Sequence, residues 1–167
     1  MTSDELFAAI PPTLSLEILE FVAATEKPLY KAALEAVAQS RKVRAVFLER
    51  QPRAERHQTM LASLGRPPLR LAADNLLRTW LLKKHAGLLA DFLDGMKIAH
   101  ENGVVENLPA SAGDADLNNA VEALLAKHPG PVVAVYLHAF SSMNEAGWTN
   151  LDALLKSDSR LALKREA

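Results

Sequence analysis

The stretch PVVAVYLHAFSSMNEAGW, residues 131–148, holds the longest dense apolar run in the chain, and its reading decides the fold. Val132, Val133, Val135 and Tyr136 suit a strand, because β-branched and aromatic side chains fit a pleated surface, and a run this short has no period that excludes one. A strand, however, leaves its backbone N–H and C=O groups to be paired by a neighbour. No other segment offers that neighbour clearly, the nearest being the two valines at 104 and 105. The stretch is therefore predicted to be a buried helix near 131–144, with Pro131 in the first turn, where a missing N–H costs no hydrogen bond. Wound this way, Val132, Val133, Val135, Tyr136, Leu137, Phe140 and Met143 make up the apolar faces that other helices must cover. His138, Ser141, Ser142 and Glu145 fall at i, i+3, i+4 and i+7, one narrow polar stripe.

Outward from this helix the same period recurs. Downstream, Gly147 is a stop, Thr149 a cap, and Leu151, Leu154 and Leu155 the face of a short last helix, after which the tail LALKREA at 161–167 is expected to fray. Upstream, Asp114 or Asp116 caps a helix carrying Leu117, Val121, Leu124 and Leu125, ended by His128, Pro129 and Gly130. From Asn102 to Gly113, NGVVENLPASAG has no period and reads as the longest loop, with Asn102 and Gly103 suited to a left-handed helix end.

Residues 69–85 give the cleanest pattern, with Leu69, Ala73, Leu76, Leu77 and Trp80 inward and Arg70, Asp74 and Arg78 as a solvated i to i+4 ladder. Past Gly87 the helix continues through Leu88, Leu89, Phe92, Met96 and Ala99. GRPP at 65–68 separates it from a helix at 53–64 that turns Met60, Leu61 and Leu64 inward. Val43, Val46 and Phe47 mark a short helix before Pro52, and Thr25 caps another with Leu29, Ala32, Ala33, Ala36 and Val37 as its inward stripe. Nearest the N-terminus, a helix carrying Leu16, Leu19 and Val22 follows a first one capped by Ser3 and ended by Pro11 and Pro12. The expectation is an all-α fold, a single compact multi-helix bundle of about eight helices forming one domain over residues 1–167.

Composition narrows the function classes. With 49% apolar and 23% charged residues the chain is ordinary for a globular protein and far from the disordered regime. The absence of cysteine excludes disulfides, thiolate catalysis and Cys-based zinc sites. No apolar stretch reaches the roughly 20 residues a spanning helix needs, and the acidic start MTSDELFAAI lacks the basic flank of a secretory signal, so a cytoplasmic protein without membrane attachment is expected. Net charge is only -1, yet residues 41–84 carry eleven Lys or Arg against Glu49, Glu55 and Asp74. That imbalance points to an anionic partner or to complementary charge within the fold.

Three chemistries can be weighed on particular residues. His138, Ser142 and Glu145 are the types of a base, a nucleophile and an orienting acid, and with Ser141, Tyr136 and Trp148 they are the candidates for a small-molecule or hydrolytic site. A regular helix, however, offers a serine neither an exposed strained position nor an oxyanion hole, and G-x-S-x-G is absent. For a metal, no two histidines stand three or four residues apart; Asp91, Asp94, His100 and Glu101 would need ligands from another helix, so no metal site and no cofactor are expected. For nucleic acid, Arg41, Lys42, Arg44, Arg50, Arg53 and Arg56 could form a basic face, without any recognition-helix or glycine-rich phosphate motif to accompany them. The leading expectation is a protein-interaction or regulatory module without catalytic activity, acting on a protein partner or as a homodimer. Nucleic-acid binding through the basic segment and a site around His138 are the alternatives.

Overall fold

Apolar residues spaced three and four apart wind as helices throughout the structure, a computed structural model that describes residues 1–163. Ten α-helices and two short 3-10 turns account for the secondary structure among the described residues, and the only β pairing is an isolated bridge between Glu101 and Val104. The fold is all-α. The helices number ten rather than about eight, and the one division the sequence does not show is the break of the predicted continuous helix over 69–99. The chain divides into two compact units, Met1–Trp80 and Leu81–Leu163.

The first unit contains α1 (Ser3–Ala9), α2 (Pro12–Thr25), α3 (Lys27–Ser40), α4 (Ala45–Glu49), α5 (Arg53–Leu64), a 3-10 turn at Pro67–Leu69, and α6 (Arg70–Lys84) as far as Trp80. Its core gathers Leu6, Ile18, Leu19, Val22, Val37, Met60, Leu64, Leu76 and Trp80, all essentially without exposure. Thr2, not Ser3, stands at the N-cap of α1, its N–H donating to the Glu5 carboxylate at 2.8 Å. Ser3 instead donates its hydroxyl to Asp74 at 3.0 Å. Thr25 closes α2, donating to the Phe21 carbonyl at 2.7 Å, and Glu26 forms the junction to α3.

Two predicted faces change when α3 and α6 are packed. The buried residues of α3 are Ala33, Leu34, Val37 and Ala38, so the stripe is rotated and leaves Ala32 exposed. In α6 the apolar side is buried as expected, but the ladder is cut: Arg78 pairs with Asp74 at 3.1 Å, whereas Arg70 reaches across to buried Asp4 at 2.7 Å. A buried carboxylate needs a partner more than a solvated one does, and the pair satisfies it. Burial raises the Asp4 carboxyl, while its hydrogen bonding, led by the Arg70 guanidinium, more than offsets that and holds it below the ordinary range. Gly65 closes α5 against α1, where an added Cβ would lie 3.0 Å from that of Ala8.

The end of α3 sets the direction of α4. Lys42 adopts a left-handed φ of 57°, with its N–H donating to the Gln39 carbonyl and the Val43 N–H to that of Ala38. This is a Schellman turn in which Lys occupies the place glycine usually fills. The chain leaves it into the five residues of α4, of which only Leu48 is buried.

The second unit holds the end of α6, α7 (Ala86–Gly95), α8 (Asp114–Lys127), α9 (Gly130–Met143), α10 (Thr149–Ser157) and a 3-10 turn at Ser159–Leu161. The opening stretch is α9. Every residue from Val132 to Leu137 is buried, and the helix packs against α8, α10 and the last 3-10 turn, which no half-buried strand would require. Phe92 meets Tyr136 and Phe140 edge-on at 5.6 and 5.2 Å between ring centres, and Phe140 leans on Trp148 at 5.2 Å. Met143, predicted on an apolar face, is 43% exposed at the end of the helix.

The predicted helix 69–99 breaks at His85 and stops at Gly95. A second Schellman turn ends α7, with Lys97 at φ 58° and the Ile98 N–H donating to the Leu93 carbonyl, so the loop is longer than expected and runs from Met96 to Gly113. Asn102 and Gly103 are left-handed within that loop, and Gly103 lies so close to Leu89 that an added Cβ would approach to 3.0 Å. The loop is fixed by Trp148, whose Nε1–H donates to the Pro109 carbonyl at 2.9 Å, and by Asn150, whose Nδ2 donates to Ala112 and Asp114. Gly113 rather than an aspartate is the N-cap of α8, and Trp148 rather than Thr149 that of α10. Within the tail expected to fray, Leu161 is fully buried; its last residues, 164–167, lie outside the described residues.

Candidate functional site

The polar stripe on α9 resolves into separate contacts. His138 is half-buried, and its Nε2–H donates to the Leu161 carbonyl at 2.9 Å, tying the helix to the final 3-10 turn. Burial pushes the imidazole down, the Leu161 bond opposes this, and the net position is below the ordinary histidine value. The Ser141 hydroxyl donates to the Asp152 carboxylate of α10. Ser142 is exposed, and because α9 ends at Met143, Glu145 lies outside the helix in the turn that follows it, not on the stripe. No hydrogen bond joins His138, Ser142 and Glu145. Tyr136 and Trp148 are core members of the aromatic cluster, and burial pushes the Tyr136 phenol up.

The histidine and carboxylate groups weighed for a metal form pairs. His100 Nε2 lies 2.8 Å from Asp94, and its Nδ1 accepts the Gly103 N–H at 3.1 Å. Asp91 accepts from both His128 at 2.8 Å and Lys127 at 3.0 Å. Among the described residues no group of three or more His, Asp or Glu is placed to hold a metal ion, and no helix is long and apolar enough to cross a membrane. His57, which has no sequence neighbour to mark it, is buried in the first unit and shares a 2.9 Å hydrogen bond with the Tyr30 hydroxyl. Burial, then Arg53 and Arg56, depress its imidazole against the opposing pull of Glu20.

The basic segment divides by what each side chain touches. Arg70 and Arg78 are held by Asp4 and Asp74, and Trp80 is buried. Arg56 donates to the Glu49 carbonyl at 3.2 Å and lies 5.9 Å from the centre of the Tyr30 ring. Arg41, Lys42, Arg44, Arg50 and Arg53 are exposed, as is Arg66, and among the described residues none of these six forms an ion pair.

Apolar side chains sit among these charges. Val43 is 37%, Val46 43% and Phe47 58% exposed, so the apolar spacing that marks α4 faces water rather than the core. An open hollow of about 350 Å³ is lined by Val43, Val46 and Phe47 with Arg44 and Arg50. A second hollow, also about 350 Å³, shares Val43 and Phe47 and adds Arg41, Arg66, Ser40, Gln51, Thr59 and Ser63. Clustered exposed apolar side chains of this kind mark contact sites more often than isolated ones do. A smaller groove of about 280 Å³ between Leu29, Ala32 and Ala36 of α3 and Leu71 and Ala72 of α6 is mainly apolar and carries no charged side chain.

The sequence matches no protein-family model, no curated protein and no solved structure. What the chain can bind is therefore set by the chemistry of its own surface, and the α4 corner is where exposed apolar and cationic groups coincide.

Proposed function

We propose that the protein is a non-catalytic interaction module that docks an acidic, apolar-anchored segment of a protein partner on the α4 corner. The observation that carries this reading is Phe47, 58% exposed and accompanied by Val43 and Val46. Arg44 and Arg50 line the same hollow. Fully burying one such side chain is worth about 1.5–3 kcal/mol, so covering what three half-exposed ones leave open contributes roughly 3 kcal/mol before the cost of association. The guanidinium groups add selectivity for carboxylates, which they can bind through two parallel hydrogen bonds.

A protein partner fits this surface better than a nucleic acid. Arg70 and Arg78 are occupied by carboxylates and Trp80 is buried, which shortens the basic track and removes one stacking ring. Two exposed valines beside Phe47 favour an apolar side chain over a base or a phosphate backbone. The reading of His138 as a structural residue is supported by its bond to Leu161, which occupies the Nε2 proton.

Display of a random dodecapeptide library on the immobilised full chain tests the proposal. Acidic peptides with an aromatic or aliphatic anchor are expected, with binding lost in Phe47→Glu, whose substitution site is exposed enough to leave the helical circular dichroism unchanged. Peptides that bind Phe47→Glu and the parent equally would overturn it. So would salt-sensitive retention of single-stranded oligonucleotide together with failure to select any peptide.

A further inference from the structure

We infer that the polar hollow beside Phe47 receives a phosphoryl group carried by the docked peptide segment. This rests on the reading of the α4 corner as a docking surface and gives that surface a second, chemically distinct half. Both hollows share Val43 and Phe47, so a ligand that rests its apolar portion on these residues holds its next polar group at Arg41 and Arg66.

The donor set argues for an anion. Arg41 and Arg66 line the hollow, no Asp or Glu does, and neither arginine has a carboxylate partner among the described residues. Ser40, Thr59 and Ser63 add hydroxyl groups, and these rotate to donate to whatever acceptor arrives. The Gln51 side chain also lines the hollow, with an amide group that carries two N–H donors.

A phosphoryl group matches this set better than a carboxylate. A carboxylate brings a single charge and two acceptor oxygens. A phosphorylated side chain brings about -1.5 to -2 charge and three acceptor oxygens, which two guanidinium groups and several hydroxyls can share. Its position next to exposed apolar side chains selects an ester, with a hydrocarbon attached, over the free ion. Recognition of phosphorylated segments by paired arginines is a recurrent mode of peptide binding.

The test is a titration of the 15N-labelled full chain, followed by NMR, with phenyl phosphate, inorganic phosphate and phenol. Phenyl phosphate joins an apolar ring to a phosphoryl group and should bind at least about tenfold more tightly than either fragment. Its amide shifts are expected to fall within Ser40–Gln51 and Thr59–Arg66. Arg41→Gln and Arg66→Gln change exposed side chains and should leave the spectrum otherwise intact. Each is expected to weaken phenyl phosphate about tenfold, the loss of one charge-assisted hydrogen bond.

If phenyl phosphate leaves these amides unmoved, or binds both arginine variants as well as the parent, the phosphoryl site is overturned. When Phe47-dependent peptides still bind, the docking surface survives that result; when they do not, both readings fall. Displacement of phenyl phosphate by a single-stranded oligonucleotide that binds more tightly than any selected peptide would overturn the assignment to a protein-borne group.

Discussion

Leu48 and Phe47 are adjacent in a five-residue helix, and truncating each to alanine tests the direction in which that helix faces. Leu48 is 1% exposed. Leu48→Ala removes its packing and leaves a void, at a cost of about 2–5 kcal/mol. Phe47 is the larger side chain but is 58% exposed, so less than half of its apolar surface is withdrawn from water. With about 1.5–3 kcal/mol for complete burial, Phe47→Ala is expected to cost about 1 kcal/mol, and less where the unfolded chain already hides part of the ring. The smaller residue should therefore be the costlier one to remove, by about 2 kcal/mol. Urea unfolding followed by Trp80 fluorescence, in a Trp148→Phe background so that one indole reports, measures the difference. With a slope of about 1–3 kcal/mol per molar urea, the two midpoints should differ by about 1 M. Equal midpoints, or a lower one for Phe47→Ala, would mean that α4 is rotated so that Phe47 belongs to the core, and the docking surface would disappear with it.

Other expectations concern positions away from that corner. Lys97→Gly should raise stability by about 0.5–1 kcal/mol, because a left-handed residue at φ 58° suits glycine better than lysine; an unchanged or lower urea midpoint would contradict this. Asp4 has its carboxyl held below the ordinary 3.8, so its stabilising effect is present above that pH and is lost as pH falls through the lower, folded value. The melting temperature of Asp4→Asn should accordingly lie below that of the parent at pH 6, and the gap should narrow towards pH 2.5. His57 and His138 both lie below the ordinary 6.5, so each contributes stability that is complete above that pH and declines as pH falls towards the folded value. His138→Gln retains an N–H for the Leu161 carbonyl and should flatten the loss of urea stability between pH 7 and pH 5; a slope as steep as the parent's would show that His138 does not titrate in this way.

Much of the helical framework was legible because helix periodicity is a local property. The buried side of α6, including Leu76, Leu77 and Trp80, follows from spacing, and the helical reading of the largely apolar α9 from the lack of any segment to pair with it as a strand. Helix ends were less legible. Lys42 and Lys97 occupy left-handed positions where glycine or asparagine is the usual signal, so α7 stops at Gly95 while the sequence points to Asn102 and Gly103. Of the α4 corner, the charge excess over residues 41–84 was visible, and Arg41, Arg44 and Arg50 were named from it. Thr59 and Ser63 carried no signal, and Arg66 only as one base of the eleven, because they join the hollow only when α5 folds beside α3.

By itself, the sequence determined that the chain is helical, that PVVAVYLHAF forms a buried helix, and that cationic side chains concentrate in one segment. Tertiary structure decided what each polar group does: Arg70 reaches Asp4 across 66 positions, and His138 reaches Leu161 across 23. It also decided that Phe47 faces water. A period states which residues share a face, and over many turns burial of the apolar face follows from it; a single turn such as α4 buries too little to choose its own orientation, so the turn at Lys42 and the docking of Leu48 choose it instead.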